Sequence, residues 1–116
     1  MPLTNQTLFD TVVIALRKQV LPSKNEEGFC LYRGPHGLKC AVGHLIPDEM
    51  YMEEMEDVVA SHLPERYSEI EELFDDCSMD LIDALQEIHD ECHPKKWEEE
   101  WKTVAQDYNL IMPPLE

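Results

Sequence analysis

The chain has 116 residues, 43% of them apolar, and 25 acidic side chains against nine basic ones, for a formal net charge of −16. That length fits one domain with a modest core, and an acid excess of this size repels nucleic acid and argues against direct DNA or RNA binding. No apolar run approaches the ~20 residues of a membrane span, and no basic region followed by an apolar stretch opens the chain. The expectation is one domain over residues 1–116, cytoplasmic and without membrane contact, whose four cysteines are free thiols or metal ligands rather than disulfides.

Thr4 is a plausible N-cap, with Leu3 and Leu8 placed as a hydrophobic staple. Leu8, Phe9, Val12, Val13, Leu16 and Val20 then recur at helical spacing, and Pro22 stops the helix. After a polar loop comes Cys30 to Asp48, the one run that does not read as helix. Gly34-Pro35-His36-Gly37 is a turn signal between two apolar arms, which predicts a short β-hairpin near residues 29–42. A four-residue loop places Cys30 and Cys40 on opposite faces; a three-residue loop sets them opposite one another.

Pro47, Asp48 and Glu49 look like a helix start, and Tyr51, Met55, Val58, Val59 and His62 continue the period to about His62. Pro64 begins another predicted helix, with Tyr67, Ile70, Leu73 and Phe74 on its stripe. Asp75 to Ser78 breaks it, and Asp76 or Ser78 can cap the next, over 79–93, with Leu81, Ile82, Leu85, Ile88, His89 and Cys92 inward. Pro94 ends that helix. Trp97, Trp101, Val104, Ala105 and Tyr108 define the last, with Asn109 placed to terminate it and an extended tail from Ile111 to Pro114. Each helix buries one stripe, so all must pack together. The predicted fold is mainly α, about five helices plus the hairpin.

Within the non-helical run, Cys-x-Tyr-Arg (30–33) is followed by Gly-Leu-Lys-Cys-Ala-Val-Gly-His-Leu-Ile-Pro-Asp (37–48). With Leu-Gln-Glu-Ile-His-Asp (85–90) and the two-tryptophan tail helix, this resembles a family of small uncharacterised phage and prophage proteins. The resemblance implies a phage or prophage setting inside a bacterial host cell. It implies no activity, cofactor or catalytic residue.

Cys30, Cys40 and His44, joined by His89, offer zinc-type ligands, but Cys-x9-Cys-x3-His is not a finger spacing. The expectation is no cofactor, with small buried cysteines and His89 as a hydrogen-bonded core histidine. His89-Asp90-Glu91-Cys92-His93 puts two histidines on one helical face. Its glutamate, however, does not directly follow the first histidine as a zinc hydrolase needs. The segment 76–87 imitates a calcium loop but has Leu81 where glycine is required. A Cys–His nucleophile pair, Cys30 or Cys40 beside His44 or His36, has nothing in the sequence to fix its geometry.

Charge is unevenly spread. Residues 1–46 hold three acids and five bases; residues 47–116 hold 22 acids and four bases. These carboxylates fall outside the apolar stripes and must face solvent. Glu69, Glu72, Asp76, Asp80 and Asp83 are the expected partner-binding residues. The function expected is a small acidic binding protein acting on a basic protein of the host, in the manner of a DNA mimic that inhibits a nucleic-acid-handling protein. The alternative is a metal- or thiol-dependent enzyme using Cys30, Cys40 and His44. Like charges at i, i+4, as in Glu49–Glu53, Glu53–Asp57, Asp76–Asp80, Asp83–Glu87 and Glu87–Glu91, are expected to cost helix stability.

Overall fold

The computed structural model describes residues 3–28 and 30–114. Among them are six α-helices: α1 (Asn5–Gln19), α2 (Ala41–Leu45), α3 (Leu63–Arg66), α4 (Ser68–Leu73), α5 (Met79–Glu91) and α6 (Trp97–Asp107). Short 3-10 turns at Pro35–Gly37, Glu53–Asp57, Ala60–His62 and Pro94–Lys96 link them. The mainly helical expectation holds.

α1 begins as its sequence dictates. The Thr4 hydroxyl accepts the Thr7 N–H, and the Thr4 N–H donates to Thr7 Oγ1. Leu8, Phe9, Val12, Val13 and Leu16 are fully buried, whereas Val20, past the helix end at φ 69°, is exposed. α5 is the hub and packs against α1, α2 and α6. Ser78 caps it, accepting from Leu81 N–H. Leu81, Ile82, Leu85, Ile88 and His89 are buried on its inner face. α6 closes in a left-handed Asn109 (φ 57°) with Leu110 N–H bonded to Ala105 O at 2.7 Å, a Schellman ending. The extended tail is held by Gln6, which makes two hydrogen bonds to Ile111, and by Arg17, which reaches the carbonyls of Pro113 and Pro114.

The predicted hairpin near 29–42 does not form; its first residue, Phe29, lies outside the described residues. The donors of the first arm go elsewhere. Leu31 N–H bonds Ser23 O, and the amides of Tyr32 and Arg33 bond the two oxygens of Glu56 at 2.9 and 3.0 Å. On the second arm, Lys39 N–H bonds Gln19 and Val42 N–H bonds Gln86. With these donors of both arms engaged elsewhere, residues 41–45 coil into α2. The only β pairing among the described residues is an isolated bridge between Lys24 and Cys30. Gly43 is required in α2, because a Cβ there would lie 2.3 Å from Tyr32 O.

The predicted helix from Pro47 to His62 is also absent. Residues 46–52 are irregular, Glu53–Asp57 is a 3-10 turn, and Val58 and Val59 are extended. Glu56 again supplies the reason: to reach Tyr32 and Arg33 it turns inward and accepts the Tyr51 hydroxyl as well, at 2.6 Å. The helix predicted from Pro64 breaks at Tyr67. Restarting at Ser68 puts Glu69 and Glu71 in the first turn of α4, where the helix dipole favours them. Of the like-charge pairs, Asp83–Glu87 and Glu87–Glu91 lie wholly on an α-helix; Glu53–Asp57 spans a 3-10 turn, and Glu49–Glu53 and Asp76–Asp80 do not lie on one element.

Candidate functional site

The absent helix leaves a groove. Residues 56–61, in which the extended Val58 and Val59 join two 3-10 turns, form one wall and the face of α5 from Asp83 to Glu91 forms the other. Asn25 and Cys30 to Tyr32 make the floor. Its volume is about 750 Å³. Glu56, Asp57, Asp83, Glu87, Asp90 and Glu91 line it, together with Val58, Val59 and Ala60, and no lysine or arginine does. Val59 is 61% exposed, so the groove offers apolar surface between its acids.

Two of the six carboxylates are committed. Glu56 holds the Tyr32 and Arg33 amides, and Asp90 bonds His89 Nδ1 at 2.8 Å and Gln86 Nε2 at 3.0 Å. Among the described residues, Asp57, Asp83, Glu87 and Glu91 have no cation within ion-pair distance. The Asp83 carboxyl sits above its ordinary pKa because of partial burial and the neighbouring Asp80 charge. Such a shift marks a carboxylate lacking a cationic partner.

Beneath the groove lies a buried polar network. Ser23 and His89 are the buried polar residues of the core, 0% and 1% exposed. Ser23 N–H donates to His89 Nε2 at 2.9 Å, and Ser23 Oγ donates to Leu31 O. Gln86 Nε2 reaches Cys30 Sγ at 3.0 Å while Gln86 Oε1 accepts the Val42 N–H. Trp97 stacks on the His89 ring, centroids 6.0 Å apart. The sequence expectation that His89 is a hydrogen-bonded core histidine is met.

Ligand atoms of Cys30, His89 and Asp90 all lie within 4.8 Å of one another. Their hydrogen bonding disfavours a metal. His89 Nε2 accepts from Ser23, so the ring proton is on Nδ1, shared with Asp90. A metal on Nδ1 would push that proton to Nε2, donor against donor. Burial lowers the imidazole pKa, while Asp90 and Cys30 raise it, with a net upward pull. A second proton would meet the same Ser23 N–H, so the geometry holds the neutral ring. The neighbouring Cys40 sulfur, and then burial, push the Cys30 thiol far above its ordinary pKa, so it is a thiol and a poor nucleophile at neutral pH.

The other ligand candidates separate. Cys40 is fully buried, and its sulfur accepts the Gly43 N–H. His44 instead faces Gln19, its Nε2 donating to Gln19 Oε1 at 3.0 Å. Burial, with Lys39 and Arg33, pulls His44 down to about 4. Of the set Cys30, Cys40, His44 and His89, only Cys30 and His89 bring their ligand atoms together, with Asp90. No disulfide joins Cys30, Cys40, Cys77 or Cys92.

The expected partner-binding residues Glu69, Glu72, Asp76, Asp80 and Asp83 are all exposed. Only Asp83 lines the groove; Asp80 acts on it electrostatically, and Glu69 borders a smaller cleft beside Arg66. Sequence reasoning missed Asp57 and the pairing of segment 56–61 with α5, although Asp83, Glu87 and Glu91 at four-residue spacing were visible. No helix among the described residues is long and apolar enough to cross a membrane. Comparison of the chain with protein-family models, with curated proteins and with solved structures gives no match.

Proposed function

We propose that this chain is a small acidic binding protein that holds a basic segment of a protein partner in the groove between residues 56–61 and α5. The supporting observation is the groove itself: six carboxylates around exposed apolar surface, none of them paired with a lysine or arginine among the described residues. A cation placed there relieves repulsion among carboxylates and needs little reorganisation, which makes the pairing electrostatically complementary. A partner whose basic surface normally meets phosphate satisfies the same chemistry, so inhibition by DNA mimicry in a host cell is the finer form of the reading.

The test is capture of a basic partner by wild-type chain and by Asp83→Asn/Glu87→Gln/Glu91→Gln, at low and moderate salt. Capture by the wild type that weakens with salt and is lost in the triple variant supports the proposal. Capture by the triple variant equal to wild type refutes the groove, and an unweakened interaction at high salt refutes its electrostatic basis. DNA that competes with this chain for its partner supports the mimic reading.

A second reading has one observation in its favour, the convergence of Cys30, His89 and Asp90. It makes this network a metal site. Stoichiometric zinc in protein purified without added metal, lost on Cys30→Ala, supports it.

A further inference from the structure

We infer that the cleft lined by Met50, Met52 and Met55 is a thioether site for a soft monovalent metal ion, copper(I) before any other. It shares no residue with the acidic groove and stands independently of the proposed function.

Three of the chain's six methionines fall in the run Met50-Tyr51-Met52-Glu53-Glu54-Met55. On a regular helix, with about 3.6 residues per turn, Met50 would face away from Met52 and Met55. The fold gathers them instead. Residues 46–52 are irregular, and Met52 is extended, at φ −133° and ψ 141°. The 3-10 turn that follows is closed by Met55 N–H on Met52 O at 2.9 Å, which brings Met55 back beside Met52. Tyr51 is engaged elsewhere: its hydroxyl bonds Glu56, and the Arg33 guanidinium lies 4.7 Å from its ring centroid. Of residues 49–55, Glu49 and the three methionines line the cleft, while Tyr51, Glu53 and Glu54 do not. Residues 66–70 close the other side, and the volume is about 270 Å³.

Core filling explains only one of the three. Met55 is 1% exposed, a flexible side chain occupying an irregular gap. Met52 is 49% exposed, and Met50 is half-buried at the edge of the core. Two thioethers therefore stand where a solute reaches them, beside a third fixed in the interior.

The donor set selects the ion. No cysteine or histidine lines the cleft. Zinc takes thiolate, imidazole or carboxylate ligands. Thioether sulfur is soft and uncharged, and it suits copper(I). The charge agrees with this choice. Glu49, Glu69 and Arg66 are the charged residues of the lining, two negative and one positive, for a net charge of −1. Neutral sulfurs leave the charge of a bound ion intact, and a single excess carboxylate balances a monovalent cation.

The four cysteines also take up soft ions, so the test reads each methionine by itself. The full chain, labelled with ¹³C at the methionine methyls, is titrated past saturation of its thiols. The probes are silver(I) in chloride-free buffer, a redox-inert stand-in, and copper(I) supplied anaerobically as its acetonitrile complex. The methyl signals of Met50, Met52 and Met55 are expected to move together over one equivalent, while those of Met79 and Met112 hold still. Zinc(II) should move none of them. Met50→Leu/Met52→Leu keeps side-chain volume at two positions outside the interior. It should melt like wild type without metal, bind one equivalent fewer and leave the Met55 methyl unshifted; Met52→Leu alone should weaken the same equivalent at least tenfold. Three unmoved methyls after the thiols are saturated overturn the inference. So does equal movement at Met79 and Met112, or undiminished uptake by the folded variants.

Discussion

Removing the Glu56 carboxylate should unfasten the wall of the groove from its floor. Glu56 Oε1 accepts the Tyr32 N–H at 2.9 Å; Oε2 accepts the Arg33 N–H at 3.0 Å and the Tyr51 hydroxyl at 2.6 Å. Hydrogen bonds to a charged group contribute about 1.5–3 kcal/mol each, so three total about 4.5–9 kcal/mol before any relief. The side chain is only part-buried, and water can reach some of the abandoned donors, which cuts the loss to about 2–4 kcal/mol. Against a total stability of ~5–15 kcal/mol this is large. At about 4 °C per kcal/mol for a domain of this size, Glu56→Ala should melt about 8–16 °C below wild type by circular dichroism. Glu56→Gln should fall between, since its amide group must face a donor at one of the three bonds. Glu54→Ala, an exposed neighbour, should stay within about 0.5 kcal/mol of wild type. If Glu56→Ala and Glu54→Ala melt together, the carboxylate does not organise this segment and the account of the missing helix is wrong.

Gly43→Ala should destabilise by about 1–3 kcal/mol or more, because its Cβ would meet backbone, Tyr32 O at 2.3 Å, which cannot swing aside; urea melts measure this. His44 is pulled down to about 4 by burial and then by Lys39 and Arg33. An unfolded histidine takes a proton near 6.5, so this group's stabilising contribution is present above that value and is lost as pH falls toward 4. His44→Gln should flatten the acid limb of the stability curve between these values, and an NMR titration should place the ring near 4. Elemental analysis of protein purified without added metal should find no stoichiometric zinc, as the Ser23–His89–Asp90 hydrogen bonding requires. Moderate salt should stabilise the fold by only about 0.4–1 kcal/mol from α-helical repulsion, since of the pairs considered Asp83–Glu87 and Glu87–Glu91 lie wholly on an α-helix.

The longest helices were legible because their signals are local. Thr4 and Ser78 cap α1 and α5, and Asn109 closes α6, as their positions in the sequence indicate. Their buried stripes follow the apolar period almost residue for residue, with Val20 outside and His89 inside. The short elements were not legible, for one shared reason. Residues 30–62 satisfy their backbone with side chains distant in sequence: Gln19 for Lys39, Gln86 for Val42, Glu56 for Tyr32 and Arg33. A hairpin and a helix are what the same residues favour when those three side chains are ignored.

That error also moved the candidate surface. The helix expected from Pro47 to about His62 carries Val59 on its apolar stripe and would bury it. In the fold, the three hydrogen bonds of Glu56 outweigh the weak helical preference of an acid-rich segment whose like charges already oppose coiling. The segment is pulled straight at Val58 and Val59, Val59 turns out to solvent, and Asp57 lines the same groove as Glu87 and Glu91. The charge pattern identified the chemistry of the surface, and one inward-turning carboxylate determines where on the chain that chemistry forms a groove.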